Sequence, residues 1–184
     1  MKMKIHHKVL RHFIALFALS WATATLAAEE DTALYFVQHS FYADRGKHIT
    51  TNYHLGTLIP INTLAKITDM GSKKMVIELP DLGNMEIKIE NAEKHTQKSI
   101  EEIKSRMFGT QAVDLKKFST ETQEAIKNGQ IILGMTKEEV LLAYGYPPAH
   151  ATANLELNQW NYWKTRWNRI VVDFQDGKVK GIRD

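Results

Sequence analysis

Residues 134–182 constrain the fold most, because they write a capped helix and then an antiparallel meander in one uninterrupted order. In Thr136-Lys137-Glu138-Glu139 the spacing predicts a capping box: the Thr136 hydroxyl accepts from the Glu139 N–H, and the Glu139 carboxylate accepts from the Thr136 N–H. Val140, Leu141 and Tyr144 give this short helix an apolar face, and Gly145 with Pro147-Pro148 ends it. Beyond a loop at 149–156, alternation places Trp160 and Tyr162 on one face of a strand and Trp163 on the other. Residues 165–168 connect to a second strand whose inner face carries Ile170, Val172 and Phe174. Gln175-Asp176-Gly177 then turns the chain into a third strand at 178–182.

The first half reads differently. Short apolar runs at 34–37, 56–63, 64–67, 75–79 and 85–89 are separated by turn residues, with 42–46 read as a loop and Pro60 suited to an edge or a turn. The run Met85-Glu86-Ile87-Lys88-Ile89 alternates strictly, so one face belongs in a core and the other in water. From Thr96 the period becomes helical: Ile100, Ile103, Met107 and Phe108 share a stripe, and Gly109 is placed to stop it. A further helix opens at Ser119 or Thr120 and ends at Gly129. The expected fold class is α+β: a small N-terminal β domain at 33–92, a helical linker at 93–118, and an α+β domain at 119–184 with two helices and three antiparallel strands.

Residues 1–28 read as an export signal. Lys2, Lys4, Lys8 and Arg11 form a basic start, 13–19 a short apolar run, and Thr25-Leu26-Ala27-Ala28 a small-residue cleavage region. Cleavage is expected after Ala27 or Ala28; a retained N-terminal anchor is the alternative, although the run is short of the about 20 residues a bilayer needs. The expected location is therefore the periplasm. Cleavage removes four basic residues and no acidic ones, which leaves 20 Lys plus Arg against 21 Asp plus Glu and a formal charge near −1. A protein so nearly neutral lacks the basic footprint of a nucleic-acid binder, and none is expected as a partner. The chain contains no cysteine, so it has no disulfide, no thiol nucleophile, no thiolate metal site and no direct lipid anchor.

Chemistry-bearing residues are sparse. Beyond the signal lie His39, His48, His54, His95 and His150, in no H-x-x-x-H pair, and they read as scattered surface histidines. There is no G-x-S-x-G elbow, and the stretch 173–177 lacks the ligand series and closing Glu of a calcium loop. Spacing alone leaves open a triad assembled in space. The expectation is a non-enzyme with no catalytic residue, no cofactor and no metal. The candidate partner-binding residues are Trp163, Arg166 and Trp167, aromatic and guanidinium groups that combine buried area with directional contacts. For Trp163 the alternative is packing against the N-terminal domain or the linking helices.

Two resemblances extend this reading. Residues 53–63, Tyr53-His54-Leu55-Gly56-Thr57-Leu58-Ile59-Pro60-Ile61-Asn62-Thr63, and the two alternating strands after them make the first half resemble a bacterial SH3-like barrel. Residues 131–140, Gly145-Tyr146-Pro147, Trp160-Asn161-Tyr162 and 172–179 make the last third resemble the SmpA/OmlA (BamE-like) family, whose fold is similar to that of the β-lactamase-inhibitor proteins. The second resemblance implies a two-helix, three-strand layer and a role in holding envelope proteins or scaffolding outer-membrane assembly. Members of that assembly complex are typically lipoproteins, and this chain has no cysteine to carry the lipid. The resulting expectation is a periplasmic binding or scaffolding protein with envelope protein partners; the alternatives are peptidoglycan (cell-wall glycan) binding through the barrel and inhibition of a periplasmic enzyme.

Overall fold

A computed structural model describes residues 33–184; the expected signal at 1–28 lies outside them. The chain is mixed α+β, with two hydrophobic cores and a polar seam between them.

The first core is covered by a six-stranded sheet that curls into a half-barrel. Its strands are β1 (Leu34–Val37), β3 (Lys47–Ile49), β5 (Leu64–Met70), β6 (Lys74–Leu79), β7 (Met85–Glu90) and β8 (Phe108–Gly109), in the spatial order β3-β7-β6-β5-β1-β8. The β3–β7 pair is parallel and the others are antiparallel. Alternation does what the pleat demands: Met75, Ile77 and Leu79 of β6 and Ile87 and Ile89 of β7 are buried, while the residues between them face outward. Two further strands, β2 (Phe41–Ala43) and β4 (Thr57–Ile59), pair with each other and bury Phe41 and Ile59 in the same core. The expected loop at 42–46 is thus shorter than the sequence implies. The chain reverses at Arg45 and Gly46, both at positive φ, and pairs again at once.

Residues 93–118 do more than link. After a one-turn α1 (Glu93–Thr96), Ser99 and Glu102 form a reciprocal capping box that starts α2 (Ile100–Met107). This helix buries Ile100, Ile103 and Met107 in the first core. Gly109 is not its terminator. The helix closes at Phe108, which is already extended, and Phe108–Gly109 continues as β8 beside β1.

The second core lies between two helices, α3 (Thr120–Lys127) and α4 (Lys137–Tyr144), and a sheet ordered β11-β10-β9. The strands are β9 (Gln159–Trp163), β10 (Arg169–Gln175) and β11 (Lys178–Arg183), all antiparallel. Asp176 and Gly177 both take positive φ, the requirement of a two-residue turn that matches strand twist. Trp160 and Tyr162 are fully buried beneath the helices, together with Val172. Both bonds of the Thr136–Glu139 box are present, at 3.3 and 2.6 Å. Thr136→Ala should therefore lower stability by about 1 kcal/mol with no change in fold; urea denaturation checks this, and an unchanged midpoint would remove the cap from the account.

Ile61 belongs to the second core although its neighbours in sequence build the first. The two cores are thereby stitched by the chain itself. Among the described residues no helix is long and apolar enough to cross a membrane.

Candidate functional site

The two cores meet along a seam of buried polar groups supplied mainly by residues 39–63. Ser40 is its centre. Its N–H donates to Leu142 O at 2.9 Å, its hydroxyl donates to Ile126 O at 2.9 Å, and its Oγ accepts from Ile61 N at 3.1 Å. Asn52 donates to Tyr144 O at 2.8 Å and to Tyr146 O at 3.1 Å, and Asn62 exchanges bonds with Val113 of 2.9 and 2.7 Å. Both asparagines sit at positive φ, where a short polar side chain is among the few tolerated, and each reaches across the seam from there.

The expectation of scattered surface histidines is overturned here. His39 and His48 are buried, His54 is half-buried, and of the five only His150 is exposed. His48 Nδ1 lies 2.8 Å from Tyr42 O and His39 Nδ1 lies 3.2 Å from Ser40 O; a carbonyl only accepts, so each Nδ1 carries the proton. His54 has the opposite tautomer, donating from Nε2 to Tyr144 O at 3.1 Å. Burial, chiefly, drives all three toward the neutral form, to a pKa of about 4 for His39 and His48 and about 3 for His54. These are structural donors in a buried seam. Sequence reasoning missed them because no local pattern records that two cores close over them.

Open clefts flank the seam. One of about 480 Å³ is lined by Tyr42, Arg45, Lys47, Tyr53 and Leu55; a second of about 380 Å³ shares Tyr42 and adds His54, Tyr144, Lys164 and Ile182. The cations here already have acidic neighbours: Arg45 with Asp44 at 3.3 Å, Lys47 with Glu90 at 2.6 Å, and Lys164 with Asp184 at 3.5 Å. Among the described residues no group of three or more His, Asp or Glu side chains is placed to hold a metal ion.

The three residues singled out from the sequence separate into two environments. Trp163 ends β9 on the outer face and is half-buried. Its backbone bridges to Tyr53 and its O accepts from His54 N at 3.3 Å, so this residue helps join the C-terminal sheet to the first half. Arg166 and Trp167 lie at the β9–β10 hairpin tip instead. Trp167 is 77% exposed, with the Arg166 guanidinium 4.7 Å from its ring centre. The tip is braced: Lys164 N donates to Asn168 O at 2.8 Å, and Thr165 Oγ1 accepts from Trp167 N at 3.1 Å and Asn168 N at 3.2 Å. A braced tip loses little conformational entropy on contact, which favours binding through it. The chain matches no family model, no curated protein and no solved structure.

Proposed function

We propose that this chain is a non-enzymatic periplasmic binding or scaffolding protein that holds other envelope proteins, with the Arg166–Trp167 tip as its primary contact. One observation carries the reading: an indole left 77% exposed beneath a guanidinium, on a hairpin whose strands are anchored by the buried Trp160 and Tyr162 of β9 and Ile170 and Val172 of β10. Burying such a side chain on a partner is worth about 1.5–3 kcal/mol, and Trp and Arg are the residue types that most often dominate binding energy. The half-barrel sheet and the two-helix, three-strand layer support the finer layout, an SH3-like module followed by a BamE-like one.

The double variant Arg166→Ala/Trp167→Ala should keep the wild-type melting temperature, because neither side chain lies in a core. It should lose at least tenfold in recovery of envelope proteins from crosslinked periplasmic extracts, the equivalent of about 1.4 kcal/mol. Undiminished recovery by the double variant would move the contact elsewhere.

A further inference from the structure

We propose that the cleft between Arg106 and Tyr146 is a binding site for a carboxylate carried next to a small apolar group. The Arg106 guanidinium, on a half-buried residue, lies 3.9 Å from the Tyr146 ring centre; among the described residues no carboxylate stands at ion-pair distance from it, and the exposed Glu102 one turn earlier acts on it only by longer-range attraction. The cleft that Arg106 faces, of about 260 Å³, is lined by Gln38, His39, Ser105, Leu141 and Tyr146 among others, and none of the lining residues is Asp or Glu.

Contact with the tyrosine ring holds the guanidinium at the cleft, and a planar guanidinium so held can offer two N–H groups to the two oxygens of a carboxylate. A position in the last turn of α2 accounts for a cation, since helix C-termini favour one. It does not account for a cation turned onto a ring and into a cleft. Across the cleft, Leu141, Leu142 and Val113 are half-buried apolar groups that offer a wall to an alkyl substituent.

The chemistry favours a carboxylate over a phosphate. A dianion calls for several donors or a helix N-terminus, whereas here a single cation stands, which matches one negative charge. The neighbouring polar groups are already occupied as donors: Gln38 Nε2 donates to Phe36 O and Gln111 O, and the Ser105 hydroxyl donates to Glu101 O. Arg106 belongs to the first core's helix, whereas Tyr146 and Leu141 come from the second half. A ligand here would therefore bridge the two, a favoured position for small-molecule sites. The site is separate from the Arg166–Trp167 tip and does not depend on that contact.

An NMR titration of the mature chain tests it, with N-acetyl-leucine as the probe and N-acetyl-leucinamide and inorganic phosphate as comparison probes. The expected result is a saturable shift of the Arg106 side-chain Nε–H and the Tyr146 amide with N-acetyl-leucine. Apparent affinity should fall at least tenfold for the amide, for phosphate and for Arg106→Gln. Equal response to acid and amide, tighter binding of phosphate, or no saturable shift at these two groups would overturn the proposal. The acid–amide comparison uses the wild-type protein and stands even where Arg106→Gln folds poorly.

Discussion

Lowering the pH from 7 to 4 will unfold this protein far more readily than loss of its surface ion pairs explains. In the unfolded chain His39, His48 and His54 take up protons near their ordinary value of 6.5; in the folded chain they do so only near 4, 4 and 3. Between these values the unfolded state binds more protons, so falling pH favours it. The stability contributed by keeping these rings neutral is complete above about pH 6.5 and drains away as the pH drops toward 4. Each of the two buried rings, His39 and His48, contributes about 3 kcal/mol across that window, and the slope reaches at most about 4 kcal/mol per pH unit with all three titrating. His54, driven to about 3, adds to the slope over the same window.

Against a total stability of about 5–15 kcal/mol for a domain, such a loss is decisive. The surface carboxylates do not mimic it. Glu90 is held below the usual carboxylate range by its hydrogen bond to Lys47, and Asp173 chiefly by its hydrogen bond to Gln159, with Arg183 adding to the effect, so both protonate at the acid end of the window or beneath it. Urea denaturation at half-unit pH steps measures the slope. His48→Asn keeps a donor for Tyr42 O while removing the titration, and should flatten the dependence although its stability at pH 7 is lower. A wild-type curve that is flat from pH 6.5 to 5 would show that the seam admits water.

Ile77→Ala, in the first core, should unfold the second core with it. Ile77 has no exposed surface, and truncating a buried isoleucine costs about 2–5 kcal/mol. Among the described residues the tryptophans, Trp160, Trp163 and Trp167, all lie on or beside the C-terminal sheet, so in a chain lacking residues 1–28, and with them Trp21, tryptophan fluorescence reports the other half of the molecule. The Ser40, Asn52 and Asn62 bonds are buried or half-buried between the cores. Opening the first core breaks these bonds, and each partner carbonyl that stays buried without a donor costs about 1–3 kcal/mol. The fluorescence midpoint should therefore fall together with the circular-dichroism midpoint. A fluorescence transition left at the wild-type position, with circular dichroism falling first, would mean that the cores are independent.

The parts of this fold that are legible in sequence are those written by neighbours. The Thr136–Glu139 box, the Asp176-Gly177 turn and the alternation of Trp160, Tyr162 and Trp163 each involve residues a few positions apart, and backbone geometry alone fixes their meaning. The Ser99–Glu102 box is equally local and marks the start of α2 more sharply than the helical period does. The seam is a different matter. Ser40 meets Ile126 across 86 positions and Asn52 meets Tyr144 across 92, distances at which no period survives. A histidine's burial depends on what closes over it, so the five imidazoles carry no sign in the sequence of which are core. The parallel β3–β7 pairing and the recruitment of Phe108–Gly109 into the sheet are likewise products of closure. At the candidate contact, sequence places Arg166 and Trp167 at a turn, but only the fold shows that Trp163 is tied to Tyr53 while its neighbours stand free.

The proposed contact is between the hairpin tip and an envelope protein. Site-specific photocrosslinking in cells tests it most directly, with the probe at position 167 and a control probe at Lys74, an exposed residue on the first sheet. A discrete adduct with an envelope protein is expected from position 167 and none from position 74. No adduct from 167, or the same adducts from both positions, would contradict it.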